Sequence, residues 1–437
     1  MDKIITSPCG EIKGKVSEDG TIAFKGIRYA TAERWKYPQQ VTEWNGVYEA
    51  TAYGNCSYQP RAFYNEEENP GKIFYYNEFR KGETYTYDED CLFLNIWTPE
   101  DADESSKLPV LVYIHGGGYT GGCGHEKHFD GPCWAKKGVI AVTINYRLGP
   151  MGFACLPELQ SESGHTGNYG LFDQICAIQW VKDNISAFGG DGDKITIMGQ
   201  SAGAMSVQHL CQSELTDGLF RSAVLSSGVG MGSFMASTPE KNGNFWKEVM
   251  RKTGCETLED FRKLPPEILF KEWKNTKGGM MAAVPVKDNI LIKDKATPKN
   301  MPYMVGSTSH DMAPAILYAL TKKWADKNNA YLWYFSRMLP GDDKGAWHSS
   351  DLWYWFGTLK NCWRPMEKRD FAISEEMSSY LCNFVKTGNP NGDGLISWEK
   401  CRNNKTVMCF DDNSTYLGKV KMGKLIYNTL TTKPVGE

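Results

Sequence analysis

The sequence predicts an α/β fold: a central, mostly parallel sheet flanked by helices, in one domain spanning 1–437. Three observations carry that reading. Short continuous apolar runs recur along the chain, as in strands covered on both faces. A stretch with helical spacing lies between two of them. Strands that alternate with helices build parallel sheets, because a parallel connection needs a crossover long enough to hold a helix.

The elements follow in order. Val110-Leu111-Val112-Tyr113-Ile114 and Val139-Ile140-Ala141-Val142-Thr143-Ile144 read as buried strands. Next, Leu171, Ile175, Ile178, Val181 and Ile185 recur at three- and four-residue steps, which places them on one helical stripe. Gly189-Gly190 is suited to end that helix. Lys194-Ile195-Thr196-Ile197-Met198 is a third strand, a helix begins just after Ser201, and Ala223-Val224-Leu225 is a shorter fourth strand. The stretch 231–300 is polar and helix-rich, with Met235, Met250, Met280 and Met281 scattered in it. It reads as an excursion from the sheet that forms part of a cap. Tyr303-Met304-Val305 and Ala330-Tyr331-Leu332-Trp333-Tyr334-Phe335 complete the strands.

Bulk properties narrow the function. Apolar residues make up 41% of the 437-residue chain and the net charge is −3, so no general attraction to nucleic acid or an anionic membrane is expected. No run approaches the roughly 18 apolar residues that span a bilayer. Met1-Asp2-Lys3-Ile4-Ile5-Thr6-Ser7-Pro8 has no apolar segment of the secretory kind. Thirteen scattered cysteines without a C-x-x-C pair suggest reduced thiols and a cytoplasmic protein. A monomer or homodimer without a metal site is expected.

Gly199-Gln200-Ser201-Ala202-Gly203 matches G-x-S-x-G between a strand and a helix. In that setting a tight, strained turn lifts a serine hydroxyl clear of the sheet, provided its flanking positions carry no bulk. The strand 110–114 runs into His115-Gly116-Gly117-Gly118-Tyr119. Successive glycines let backbone amides approach a ligand oxygen closely. Attack of a serine on an acyl carbon develops an alkoxide, which aimed amides stabilise. The amides of Gly117 and Gly118, with that of Ala202 after the nucleophile, are the expected donors, and His115 is a structural residue of the loop.

A serine hydroxyl needs a base. With this elbow the partners follow in the order serine, acid, histidine. Of the seven histidines only His310 and His348 lie beyond the elbow helix, since His209 sits within it and points away. His348 lies in the small-residue loop Gly345-Ala346-Trp347-His348-Ser349-Ser350-Asp351 after a strand, where a base belongs. Asp311, just past the strand 303–305, is the expected acid. Asp351 is its rival, better suited to anchoring the histidine loop. The aromatics Trp347, Trp353, Tyr354, Trp355 and Phe356 crowd that loop. Tyr119, Met205, Trp347 and Trp353 are the expected lining of an apolar pocket.

With these residues the chain resembles the type-B carboxylesterase family, which includes cholinesterases and bacterial p-nitrobenzyl esterases. Glu89-Asp90-Cys91-Leu92-Phe93-Leu94-Asn95-Ile96-Trp97 is similar to its E-D-C-L-Y-L-N signature. Phe24-Lys25-Gly26-Ile27-Arg28-Tyr29-Ala30, Asn145-Tyr146-Arg147-Leu148-Gly149, Gly170-Leu171-Phe172-Asp173-Gln174 and Phe384-Val385-Lys386-Thr387-Gly388-Asn389-Pro390-Asn391 also fit. The resemblance implies the α/β-hydrolase fold and a serine esterase acting on neutral, short-acyl or aryl carboxylic esters, without a cofactor. It further implies a buried Glu89–Arg147 salt bridge, and it places Cys56 and Cys91 where secreted members form a disulfide. Departures are Gln200 where glutamate usually precedes the nucleophile, and Asp311 where the acid is usually glutamate. The short 37-residue step from Asp311 to His348 implies a reduced cap. Amidase, thioesterase, acyltransferase and non-catalytic recognition remain alternatives on this fold.

Overall fold

The computed structural model describes residues 1–437 other than 233–235, 403–405, 432–434, 436 and 437. Thirteen strands form one sheet among the described residues. In chain order they are β1 (Asp2–Ser7), β2 (Gly10–Val16), β3 (Thr21–Arg28), β4 (Tyr48–Glu49), β5 (Phe93–Pro99), β6 (Leu108–Ile114) and β7 (Ile140–Ile144). There follow β8 (Gly190–Gln200), β9 (Ser222–Ser226), β10 (Tyr303–Thr308), β11 (Tyr331–Phe335), β12 (Val407–Phe410) and β13 (Thr415–Gly418). Their spatial order is β1-β2-β3-β5-β7-β6-β8-β9-β10-β11-β12-β13, with β4 beside β2. Every pairing from β7 across to β12 is parallel, and the flanking pairings are antiparallel except that of β4. The expected mostly parallel sheet flanked by helices is therefore present.

Each of the six strands expected from apolar runs is found. The antiparallel strands β1 to β3 are additional. They lack a continuous apolar run: β1 carries Asp2, Lys3 and Thr6, and its Ile4 is exposed. Their pairing comes from hairpin geometry and the edge of the sheet.

Alternation along β6 divides the core. Val110, Val112 and Ile114 face one side, with Trp180 and Val181 of the helix Tyr169–Asn184 and Val207 and Leu210 of the helix Ala202–Gln212. Leu111 and Tyr113 face the other, with Trp333, Trp355, Tyr380 and Phe384. Burying each such side chain contributes about 1.5–3 kcal/mol. The helix Tyr169–Asn184 covers the expected stripe, and its short 3-10 extension ends at Gly189, whose φ of 87° supplies the left-handed cap.

Within 231–300 the chain forms the helices Pro239–Thr253, Leu258–Lys263, Pro266–Asn275 and Gly279–Ala282. Thr238 and Thr257 cap the first two. Trp246, Phe270 and Trp273 of these helices pack in one cluster with Tyr119, Phe153, Ala202 and Met205. Met235 lies outside the described residues. No helix among the described residues is long and apolar enough to cross a membrane.

Register brings the site together. Ile114 at the end of β6 is level with Gly199 of β8, Gln200 is level with Ser226 of β9, and Ser226 is level with Gly306 of β10. The carboxyl ends of these parallel strands form one edge, where open α/β sheets place their ligands.

Candidate active site

Ser201 joins β8 to the helix Ala202–Gln212 with φ 57° and ψ −125°, a conformation that L-residues rarely adopt. Such strain, of order 1–3 kcal/mol, persists only where the surroundings enforce it. Here the Ser201 amide donates to Ser226 O at 2.9 Å, and Ser201 O accepts from the Met205 amide at 3.0 Å. A Cβ on Gly199 would lie 2.3 Å from Gly203 O, and one on Gly203 would lie 2.1 Å from Ile114 O. The turn closes only because both positions are glycine.

The triple-glycine loop lies directly against this turn. A Cβ on Gly116 would lie 2.6 Å from Gln200 O and 3.0 Å from Ser201 Cβ. Gly117 O accepts from the Thr120 and Gly121 amides, closing a tight bend in which Gly117 has a φ of 103°. Among the described residues the amides of Gly117, Gly118 and Ala202 have no intramolecular acceptor. The Ala202 amide belongs to a helix N-terminus, where the dipole favours negative charge. His115 stacks on Tyr146 at 4.5 Å and its Nδ1 lies 2.8 Å from Gly116 O, so it fixes the loop.

His348 and Asp311 meet. His348 Nδ1 donates to Asp311 Oδ1 at 2.5 Å, which leaves Nε2 as the lone-pair nitrogen. Asp311 is further held by the Met312 amide at 2.8 Å on Oδ1, and by the Ser227 hydroxyl at 2.6 Å and the Thr308 hydroxyl at 3.1 Å on Oδ2. Burial works to raise the Asp311 pKa, but the His348 charge and these donors outweigh it and keep the group ionised below its ordinary range. For His348 burial works downward, yet the carboxylates of Asp311 and Asp351 hold the pKa above its ordinary 6.5.

Ser201 and His348 are not hydrogen-bonded. The Ser201 hydroxyl makes no hydrogen bond among the described residues, and the partner of His348 Nε2 is the side-chain nitrogen of Gln200 at 3.2 Å. Gln200 therefore occupies the lone pair that a base would use. Catalytic hydrogen bonds are often loose without substrate and tighten in the complex.

Asp351 lies beside this pair as an anchor. Its Oδ2 accepts from Ser226 Oγ at 2.9 Å and Trp355 Nε1 at 3.1 Å, and burial pushes its pKa up to about 6. Gln200, Ser226, Ser227 and Thr308 were not selected from sequence. The signal available for the serines was a pair of small polar residues at the end of the strand beside the elbow strand.

Tyr119 and Met205 are buried in the cluster under the helical excursion. Trp347 packs against Phe74 and Tyr75 of the helix Ile73–Phe79, at 5.1 and 5.9 Å. Trp353 is as buried as Tyr119 and Trp347, and packs between Phe79 and His128. The Glu89–Arg147 bridge is also corrected. Asp173, on the helix Tyr169–Asn184, takes both arms of the Arg147 fork at 2.8 and 2.7 Å, while Glu89 pairs with Arg34. Cys56 and Cys91 are both free thiols.

Comparison with known proteins gives concordant results. The sequence model of the Carboxylesterase family matches residues 1–325 and 315–425. The Para-nitrobenzyl esterase of Bacillus subtilis (strain 168) is 40% identical over 231 residues, 52% of this chain and 44% of that protein. The Bile salt-activated lipase of Homo sapiens is 29% identical over 493 aligned positions, 87% of this chain and 62% of that protein. Matches to these curated relatives thus cover less than two thirds of their length. Among solved structures, an esterase from anaerobic Clostridium hathewayi that can hydrolyze aliphatic aromatic polyesters superposes with a TM-score of 0.84 at 25% identity. That alignment covers 99% of this chain and 98% of the other.

Proposed function

This chain belongs to the carboxylesterase family, and from that premise we propose that it is a serine carboxylesterase using Ser201, His348 and Asp311. The observation that carries the proposal is the Asp311–His348 pair beside a strained serine and three amides without acceptors.

In the first step Gln200 yields His348 Nε2 to the Ser201 hydroxyl. The oxygen attacks the ester carbonyl as its proton passes to Nε2. The resulting alkoxide is held by the amides of Gly117, Gly118 and Ala202, each worth about 2.7–4 kcal/mol of barrier in comparable sites. Asp311 keeps the proton on Nδ1 and stabilises the imidazolium. The imidazolium protonates the departing alcohol, and a water molecule activated by His348 then releases the acid and regenerates Ser201.

We assign Tyr119, Met205, Trp347 and Trp353 to the apolar wall of the acyl site, which suits neutral short-acyl or aryl esters. The helices within 231–300 act as part of a cap, since their apolar faces pack on Tyr119, Ala202 and Met205. Thirteen free thiols support a reducing, cytoplasmic setting.

The pH profile tests this reading. The base works only when neutral, and its raised pKa keeps it protonated to a higher pH than free imidazole. The kcat/KM for p-nitrophenyl acetate is therefore expected to rise with pH through a value above 6.5. Asp351 gains its charge near pH 6 and favours the imidazolium. Asp351→Asn should move this limb to lower pH. A pure recognition protein would hydrolyse nothing at any pH, and that result would overturn the proposal.

A further inference from the structure

On the far side of the triple-glycine loop lies a second cluster, which the esterase chemistry does not use. The ligating atoms of Cys56, Cys123 and His125 are buried and lie within 4.8 Å of one another. We propose that these three residues form a binding site for a thiophilic divalent cation, with Zn2+ the best match to the donor set.

Geometry comes first. Sulfur at about 2.3 Å and nitrogen at about 2.0–2.1 Å on a tetrahedral zinc stand roughly 3.5 Å apart. Cys56 Sγ and His125 Nε2 are separated by 3.5 Å. The His125 ring is aimed by stacking on Tyr53 at 4.6 Å and 12° and by Tyr85 on its other contact at 5.6 Å. The ring is oriented by this packing alone among the described residues, since Nδ1 is buried without a partner. Two thiols and an imidazole suit a borderline-soft cation and are poor ligands for Mg2+ or Ca2+. The described residues supply three ligands, and the fourth position falls to water.

Charge agrees. Arg61 lies 3.8 Å from Cys123 Sγ, but its charge is taken by Glu126 at 2.7 Å. Arg80 is shared between the same Glu126 and Glu66, at 3.2 and 2.7 Å. Two cations and two carboxylates balance, so a divalent cation with two thiolates would leave this frame neutral. A bound cation would displace both thiol protons, as coordination to a metal deprotonates a thiol.

The site would tie two segments to the oxyanion loop. Gln59, three residues after Cys56, accepts from the Gly122 amide at 2.9 Å and donates to Gly122 O at 3.0 Å. Zinc bridging Cys56 to Cys123 and His125 would pin the same junction, next to the Gly117 turn. The ligands escape a sequence search because one comes from position 56 and the others from a C-x-H pair, without C-x-x-C spacing.

The test uses the full chain, reduced and stripped with chelator. Titration with Zn2+ against a chromophoric competitor should show one equivalent bound per chain, with a rise in Tm. Anaerobic Co2+ should give a thiolate-to-metal charge-transfer band in the near ultraviolet. Cys56→Ser and Cys123→Ser should each weaken binding by at least the roughly 10–100-fold that loss of an outer-shell partner costs, and Cys211→Ser, at a buried thiol elsewhere, should leave it unchanged. Should the serine variants not fold, X-ray absorption on the Zn2+-loaded natural chain decides independently: it should find two sulfurs at about 2.3 Å and nitrogen at about 2.0–2.1 Å. A zinc shell without sulfur, no binding at all, or a Cys56–Cys123 disulfide in the reduced preparation would each overturn the proposal.

Discussion

Ser201→Ala is expected to lower kcat for p-nitrophenyl acetate by at least about 10^4-fold and to abolish labelling by a fluorophosphonate. The size follows from the way a triad acts as a unit, since loss of the nucleophile removes the covalent route and leaves only the oxyanion donors and binding. The alanine also releases no strain that would unfold the chain: φ 57° and ψ −125° are imposed by the Ser226 and Met205 hydrogen bonds and by the flanking glycines. An unchanged Tm beside a lost activity separates chemistry from folding. Substantial hydrolysis or labelling in the variant would move the nucleophile elsewhere.

Asp311→Asn carries the second large effect, about 10^4-fold in kcat. The carboxylate receives the His348 Nδ1 proton at 2.5 Å, and in doing so selects the tautomer with its lone pair on Nε2. An asparagine amide in that place donates to Nδ1 and puts the proton on Nε2, facing the nucleophile. Its NH2 would also oppose the Met312 amide, which now donates to Oδ1 at 2.8 Å. Circular dichroism should accompany the kinetics for that reason. Asp351→Asn is the comparison: Asp351 bonds Ser226 and Trp355 and never touches the ring of His348 through a hydrogen bond. Its effect on kcat at high pH should stay under about tenfold. A reversal of the two magnitudes would make Asp351 the acid.

Much of this arrangement is readable in the amino acids, for identifiable reasons. The parallel strands are buried on both faces, so β6, β7 and β8 appear as apolar runs, and the elbow announces itself because only glycine clears Gly203 O and Ile114 O. Asp311 and His348 follow from chain order and from their places after strand ends. Side-chain partners chosen among several candidates are less legible. Arg147 has Glu89 and Asp173 both available, and only the packing of the helix Tyr169–Asn184 against the strand end selects Asp173. The packing of Trp347 and Trp353 is hidden for a similar reason: the helix Ile73–Phe79, which carries no strong periodic signal, brings Phe79 against both. Gln200 reads as a bare departure from glutamate, and its place on His348 Nε2 depends on a rotamer that no pattern encodes.

The most direct measurement is a crystal structure of the chain after reaction with a phosphonate ester. Phosphorus is expected bonded to Ser201 Oγ, with His348 Nε2 within hydrogen-bonding reach of that oxygen in place of Gln200, and the phosphoryl oxygen about 2.7–3.1 Å from the amides of Gly117, Gly118 and Ala202. A phosphoryl oxygen turned away from those amides, or Gln200 still seated on His348 Nε2 in the adduct, would contradict this mechanism.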